Sequence, residues 1–159
     1  RMAIIEGGYW VFEPETNAEL ALIYSGAVVQ EVTEAFELIR EDLPGAGLLA
    51  VTSSDRLNAG WLAAKRSRHH GGPRTVSLVE KLLEPLAENA TLVTILDGHP
   101  ATLSWLGGVR GHCVESLGVE HFGQSGSIDD LYRHYGLDTQ TIIDACASAY
   151  LNTLGYHDH

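Results

Sequence analysis

A mostly parallel α/β domain is the fold class this sequence predicts, on three observations. Runs rich in apolar and β-branched residues recur at 9–12, 20–24, 48–51, 91–96 and 114–119. Between them lie stretches whose apolar residues fall at helical spacing, so strands alternate with helices along the chain. Glycine, proline and cap residues punctuate the changeovers. Five strands are expected, the first antiparallel to the others.

Tyr9-Trp10-Val11-Phe12 and Leu20–Tyr24 flank the turn-like Glu13-Pro14-Glu15-Thr16-Asn17. A connection of that length and composition predicts that these two strands pair antiparallel. Ser25-Gly26 leads into a helix with Val28, Val32, Ala35, Phe36 and Ile39 on one face, stopped by Leu43-Pro44-Gly45. Leu48–Val51 is a short apolar strand, and Thr52-Ser53-Ser54-Asp55 offers cap chemistry after it. Residues 57–68 read as partly helical, interrupted by Gly60, and run into a basic, loop-like stretch through Arg66, Arg68, His69, His70 and Arg74. Ser77 and Glu80 have capping-box spacing, and Pro85 ends that helix near Glu84. Thr91–Leu96 is the clearest buried strand, followed by Asp97-Gly98-His99-Pro100. A short helix over 101–106 precedes a loop bearing Gly107, Gly108 and Gly111. Val114–Val119 reads as a buried strand, Gly123–Ser127 as a corner, and Ser127 as the cap of a helix with Ile128, Leu131, Tyr132 and Tyr135 on its apolar stripe. Asp138 or Thr139 caps the last helix, whose face carries Ile142, Ile143, Cys146, Ala149 and Tyr150.

The chain is 159 residues long, one domain's worth. Ten Lys and Arg against 21 Asp and Glu leave a net charge of −11, which repels phosphate backbones and argues against nucleic-acid binding. Cys113 and Cys146 have neither metal nor redox spacing and are expected as reduced core residues, in a cytoplasmic location. No apolar run approaches the roughly 20 residues needed to span a bilayer. The start, Arg1-Met2-Ala3, suggests a piece of a longer protein.

Catalytic motifs are scarce. A P-loop is absent, and Gly45-Ala46-Gly47 precedes a strand where a dinucleotide fingerprint opens a helix. Gly123-Gln124-Ser125-Gly126 approaches a nucleophile elbow, but its second glycine comes one residue early. Asp97 and His99 sit where a strand's carboxyl end meets a helix, the usual place for α/β sites, though a turn accounts for them equally. The eight histidines lack the spacing of a metal pair with an intervening acid. Lys65, Arg66, Arg68 and Arg74 could meet an anionic group or an acidic partner surface, or form a solvated loop. From these residues come two minor readings: a stand-alone regulatory module that senses an organic anion through Arg66, Arg68, Arg74 or His99, and a small hydrolase using His99 and Ser125.

Three stretches carry a family resemblance. They are Val51-Thr52-Ser53 followed by Leu57 and Gly60; the apolar strand ending in Asp97-Gly98-His99; and Leu117-Gly118-Val119-Glu120-His121-Phe122-Gly123-Gln124-Ser125 with Leu131, Tyr132, Arg133, His134, Tyr135 and Asp138. In this order they resemble the C-terminal domain of the transketolase superfamily, most nearly its homodimeric pyruvate dehydrogenase E1 branch. The likeness covers roughly residues 7–150, with Glu120 where many members carry Asp. It implies a three-layer α/β/α domain with a five-stranded sheet. It also implies a thiamine-diphosphate- and magnesium-dependent parent that decarboxylates a 2-oxo acid and passes the acetyl group to lipoyl. The cofactor would lie between other domains at a homodimer interface. The Gly-Asp-Gly…Asn-Asn motif that holds it is missing here: Leu96 precedes Asp97-Gly98, and no Asn pair occurs in the chain. The resemblance therefore implies one domain, 1–159, that binds no cofactor itself and supports dimerisation. Asp97, His99, Phe122, Gly123 and Ser125 would lie at an interface or the active-site rim. Its partners would be the preceding domains, a second copy and a lipoyl acyltransferase component, with neither nucleic acid nor membrane.

Overall fold

The computed structural model describes residues 7–26, 28–71, 76–96, 101–117 and 139–155. Five strands form one sheet: β1 (Gly8–Phe12), β2 (Ala18–Ser25), β3 (Gly47–Val51), β4 (Leu86–Leu96) and β5 (Cys113–Leu117), in spatial order β1-β3-β2-β4-β5. β1 runs antiparallel to β3, and the other pairings are parallel. The helices are α1 (Val29–Asp42), α2 (Ser54–His69), α3 (Leu78–Leu83), α4 (Ala101–Ser104), α5 (Gly107–Arg110) and α6 (Thr139–Gly155).

Side chains alternate across each strand, so β2 and β4 feed two cores. Leu20, Leu22, Val93 and Ile95 face α1 and α6, with Phe36 and Ile142 fully buried among them. Ala21, Ile23, Leu92 and Leu96 face α2 to α5, where Leu57, Leu83, Leu103 and Leu106 close over them. The result is the expected three-layer α/β/α domain.

The first strand departs from expectation. β1 pairs with β3 rather than β2, in the register Gly8↔Val51, Tyr9↔Ala50 and Trp10↔Leu49. The connection over 13–17 is no hairpin turn, because its amides bond elsewhere. Glu15 N–H donates to the Gly45 carbonyl (3.0 Å) and Asn17 N–H to that of Pro85 (2.7 Å), with Asn17 in the left-handed region at φ 66°. The chain thus crosses the start of β3, where Gly47 leaves the room: a Cβ there would lie 2.7 Å from Trp10 Cζ3 and 2.9 Å from Pro14 Cβ.

β5 is an edge strand with exposed and half-buried positions, not a buried one, because only β4 pairs with it. Cys113 is accordingly exposed, while Cys146 is buried as expected. Gly107 and Gly108 belong to a helical turn instead of a loop, and Gly111 follows it at φ 80°. Thr139 opens α6, but its hydroxyl donates to Glu34 Oε2 on α1 (3.1 Å), so it pins two helices together.

Candidate functional site

The sheet order defines where a site belongs. From β2 the chain crosses to β3 on one side, then returns past β2 to β4 on the other, so the topology switches between β2 and β4. In open α/β sheets, ligands enter the crevice at the carboxyl ends of the strands flanking such a switch. Here those ends are Ser25 and Leu96. Asp97-Gly98-His99-Pro100 follow β4 directly in the chain, and Phe122, Gly123 and Ser125 come after β5. All of these lie outside the described residues.

The rest of the rim is built from hydroxyls and backbone. Ser53 caps α2, its Oγ accepting from Arg56 N–H at 3.2 Å. Thr52 and Ser53 amides both donate to the Gly7 carbonyl, at 2.8 and 3.1 Å. Gly7 has φ 121°, and a Cβ there would meet Ser53 O at 2.5 Å, so this corner requires glycine. Ser54 Oγ donates to the Thr102 carbonyl (2.7 Å) and accepts from Trp105 Nε1 (3.0 Å). That relay ties the end of β3 to the β4–β5 crossover. No local pattern marks it, since its partners are about fifty residues apart in sequence. Tyr24, near the end of β2, has its phenol pKa raised by burial and secondarily by Tyr9, so it stays protonated near neutrality.

The basic stretch is helical as far as His69. Glycine inside a helix costs about 1 kcal/mol, and the Ser53 cap together with buried Leu57 and Ala64 offsets it. Arg66, Arg68 and His69 in the last turn also complement the helix dipole. Residues two apart on a helix do not share a face, so Arg66 and Arg68 diverge. Arg66 is exposed, whereas Arg68 forms a forked pair with Glu80, at 2.8 and 3.3 Å. Arg74 lies outside the described residues. The expected capping box does not form: the Glu80 carboxylate, which would reach back to the Ser77 amide, is turned to Arg68, and Ser77 Oγ is itself buried without a hydrogen bond among the described residues.

His112 is the buried histidine of this side. Its Nε2 lies 3.0 Å from the Ala87 carbonyl, while Nδ1 has no hydrogen-bond partner among the described residues. Burial lowers its pKa, the Ala87 bond opposes that, and Arg110 adds to it, which describes a neutral ring protonated on Nε2.

A model of the transketolase-like C-terminal domain matches residues 7–138. The chain belongs to that family. Solved structures agree on the fold. Transketolase from Leishmania mexicana superposes with a TM-score of 0.64 at 16% identity, over 96% of this chain and 19% of that one. Transketolase from Campylobacter jejuni gives 0.59 at 17% identity, over 90% and 18%. A split-gene transketolase, described as an inactive β4 tetramer, gives 0.60 at 14% identity, over 91% and 42%. The chain thus spans under half the length of each of these proteins. No curated protein sequence matches it significantly.

Thiamine diphosphate and magnesium would need carboxylate and amide oxygens converging on the metal. Among the described residues no group of three His, Cys, Asp or Glu side chains converges, and the rim presents Ser25, Thr52, Ser53 and Ser54. Hydroxyls alone do not supply that donor set, so the described residues do not fit the group.

Proposed function

We propose that this chain is the C-terminal domain of a thiamine-diphosphate-dependent enzyme of the pyruvate dehydrogenase E1 or transketolase type, in which it supports dimerisation and the active-site rim without catalysing by itself. The family match over 7–138 is the observation that carries this reading. The hydroxyl-rich carboxyl edge, organised by the Ser54 relay, supports it. Within the parent, the Asp97–His99 segment and the Phe122–Ser125 loop would face the preceding domains. The chemistry would be decarboxylation of a 2-oxo acid with transfer to lipoyl, or two-carbon transfer between sugar phosphates. The Val51-Thr52-Ser53 stretch followed by Leu57 and Gly60 favours the E1 branch, while the structural neighbours named above are transketolases. A homodimer is the assembly proposed, and a lipoyl acyltransferase component its partner in the E1 case. No described helix is long and apolar enough to cross a membrane, and a cytoplasmic location is proposed with the parent.

Calorimetry of residues 1–159 with thiamine diphosphate and magnesium tests the reading. No saturable heat is expected, and tight stoichiometric binding would overturn it. The coding sequence upstream should carry a Gly-Asp-Gly…Asn-Asn motif.

A further inference from the structure

We propose that the groove between α2 and α5 binds a compact, doubly charged oxyanion, phosphoryl or dicarboxylate, through Lys65 and Arg110. This site lies away from the switch-point rim and does not depend on the enzyme branch.

Charge distribution is the first observation. The chain carries −11 overall, yet six of its ten Lys and Arg lie on α2, α3 and α5: Arg56, Lys65, Arg66, Arg68, Lys81 and Arg110. A cation-rich face on an acidic protein concentrates anions locally instead of repelling them.

The second observation is the groove itself. Its volume is about 320 Å³, and Trp61, Lys65, Arg68, Glu80 and Arg110 line it. That equals roughly ten waters at about 30 Å³ each, room for a small anion with part of its hydration shell. Arg68 and Glu80 hold each other through two hydrogen bonds, so the one carboxylate lining the groove among the described residues has its charge offset. Lys65 and Arg110 make no ion pair among the described residues, leaving two positive charges for a dianion.

Lys65 is also held in place. Its ammonium sits 4.5 Å from the Trp61 ring centroid, a cation–π contact. Trp61 stacks on Trp105 at 5.5 Å, and Trp105 is anchored by its bond to Ser54. A Cβ on Gly108 would stand 3.7 Å from the Trp61 ring, so α5 lies close against it and brings Arg110 to the same gap. Ordering a lysine before binding reduces the entropy lost on binding.

Titration calorimetry at low salt and alkaline pH, where phosphate is a dianion, tests the site with inorganic phosphate and with malonate. A saturable isotherm with at least one of them is expected: phosphate alone assigns a phosphoryl ligand, malonate alone a dicarboxylate. K65M/R110M should weaken binding at least about tenfold, because a charge-assisted hydrogen bond contributes about 1.5–3 kcal/mol. K81M, a loss of one charge on this helical layer outside the groove and the control for each single groove variant, should stay within about twofold. Should the double variant lose its helical circular dichroism, K65M and R110M singly decide, each weakening binding at least about threefold. The proposal is overturned if neither anion gives a saturable isotherm up to about 20 mM, or if K81M weakens binding as much as the groove variants.

Discussion

The two faces of this sheet are closed by different means. On one face two long helices do the work: α1 buries Val32, Ala35, Phe36 and Ile39, and α6 buries Ile142, Cys146 and Ala149. On the other face α2 runs for 16 residues but buries only Leu57 and Ala64, and the remaining cover is three short helices. Pieces this short cannot each bury enough apolar surface to hold position, so directional bonds fix them. Trp10 Nε1 donates to the Leu82 carbonyl (3.0 Å), Trp105 and Ser54 tie α4 to the end of β3, and Arg68 grips Glu80. Neither means is gapless: a cavity of about 330 Å³ lies between α1 and α6, lined by Ile39, Ile143, Cys146 and Tyr150, and gaps also lie between the short pieces opposite. The Lys65–Arg110 groove is one such gap.

The sharpest test of that contrast is chemical. Burial raises the Cys146 thiol to about 12, so at about pH 8 only about one molecule in ten thousand carries the thiolate. Cys113 is exposed on the edge strand. A disulfide-exchange reagent should therefore titrate one thiol in the folded protein and the second only after denaturant. Two thiols reacting natively at similar rates would show that the α1–α6 face opens readily.

Next in size is Phe36→Ala. Phe36 is fully buried and lies 5.3 Å from Phe12, over which Arg40 sits at 4.8 Å. Truncation should cost about 3–5 kcal/mol in urea unfolding, the range for large-to-small changes in a core that cannot collapse. A loss under about 1 kcal/mol would mean that this face repacks freely. Ser54→Ala probes the opposite face. It removes two hydrogen bonds at a half-buried site and should cost about 1 kcal/mol, with a change in Trp105 fluorescence that Phe36→Ala does not produce.

How far the sequence foretells this molecule follows from the same contrast. The α1 stripe and the runs 48–51 and 91–96 are legible because burial there is periodic and local. Strand neighbours are not. The connection 13–17 looks like a hairpin, but its amides answer to Gly45 and Pro85, whose positions only the assembled fold sets. Ser77 and Glu80 have the spacing of a capping box, and an arginine twelve residues upstream takes the carboxylate. β5 has an apolar composition, yet its place at the edge leaves it half exposed. The rim candidates Asp97, His99 and Ser125 rest on sequence motif and lie outside the described residues. Lys65, Arg66 and Arg68 are neighbours in sequence that a helix disperses, while Lys65 and Arg110 are 45 positions apart and meet only through packing.

Gly60 gives the smallest expected effect and the finest test of how the face covered by α2 and the short helices is held. It breaks the helical reading of 57–68, yet α2 passes through it unbroken. A Cβ added there meets nothing within 4 Å, and the residue has an ordinary helical backbone. Gly60→Ala should therefore stabilise the protein by about 0.5–1 kcal/mol, by reducing the freedom of the unfolded chain and improving helix propensity. The gain should appear as a higher urea midpoint at unchanged slope. A destabilised variant would mean that the neighbouring stretch Val76–Leu78 closes over Gly60 in solution. An unchanged midpoint would mean that α2 is held by its ties to β3, α3 and α5 so firmly that its intrinsic propensity no longer matters.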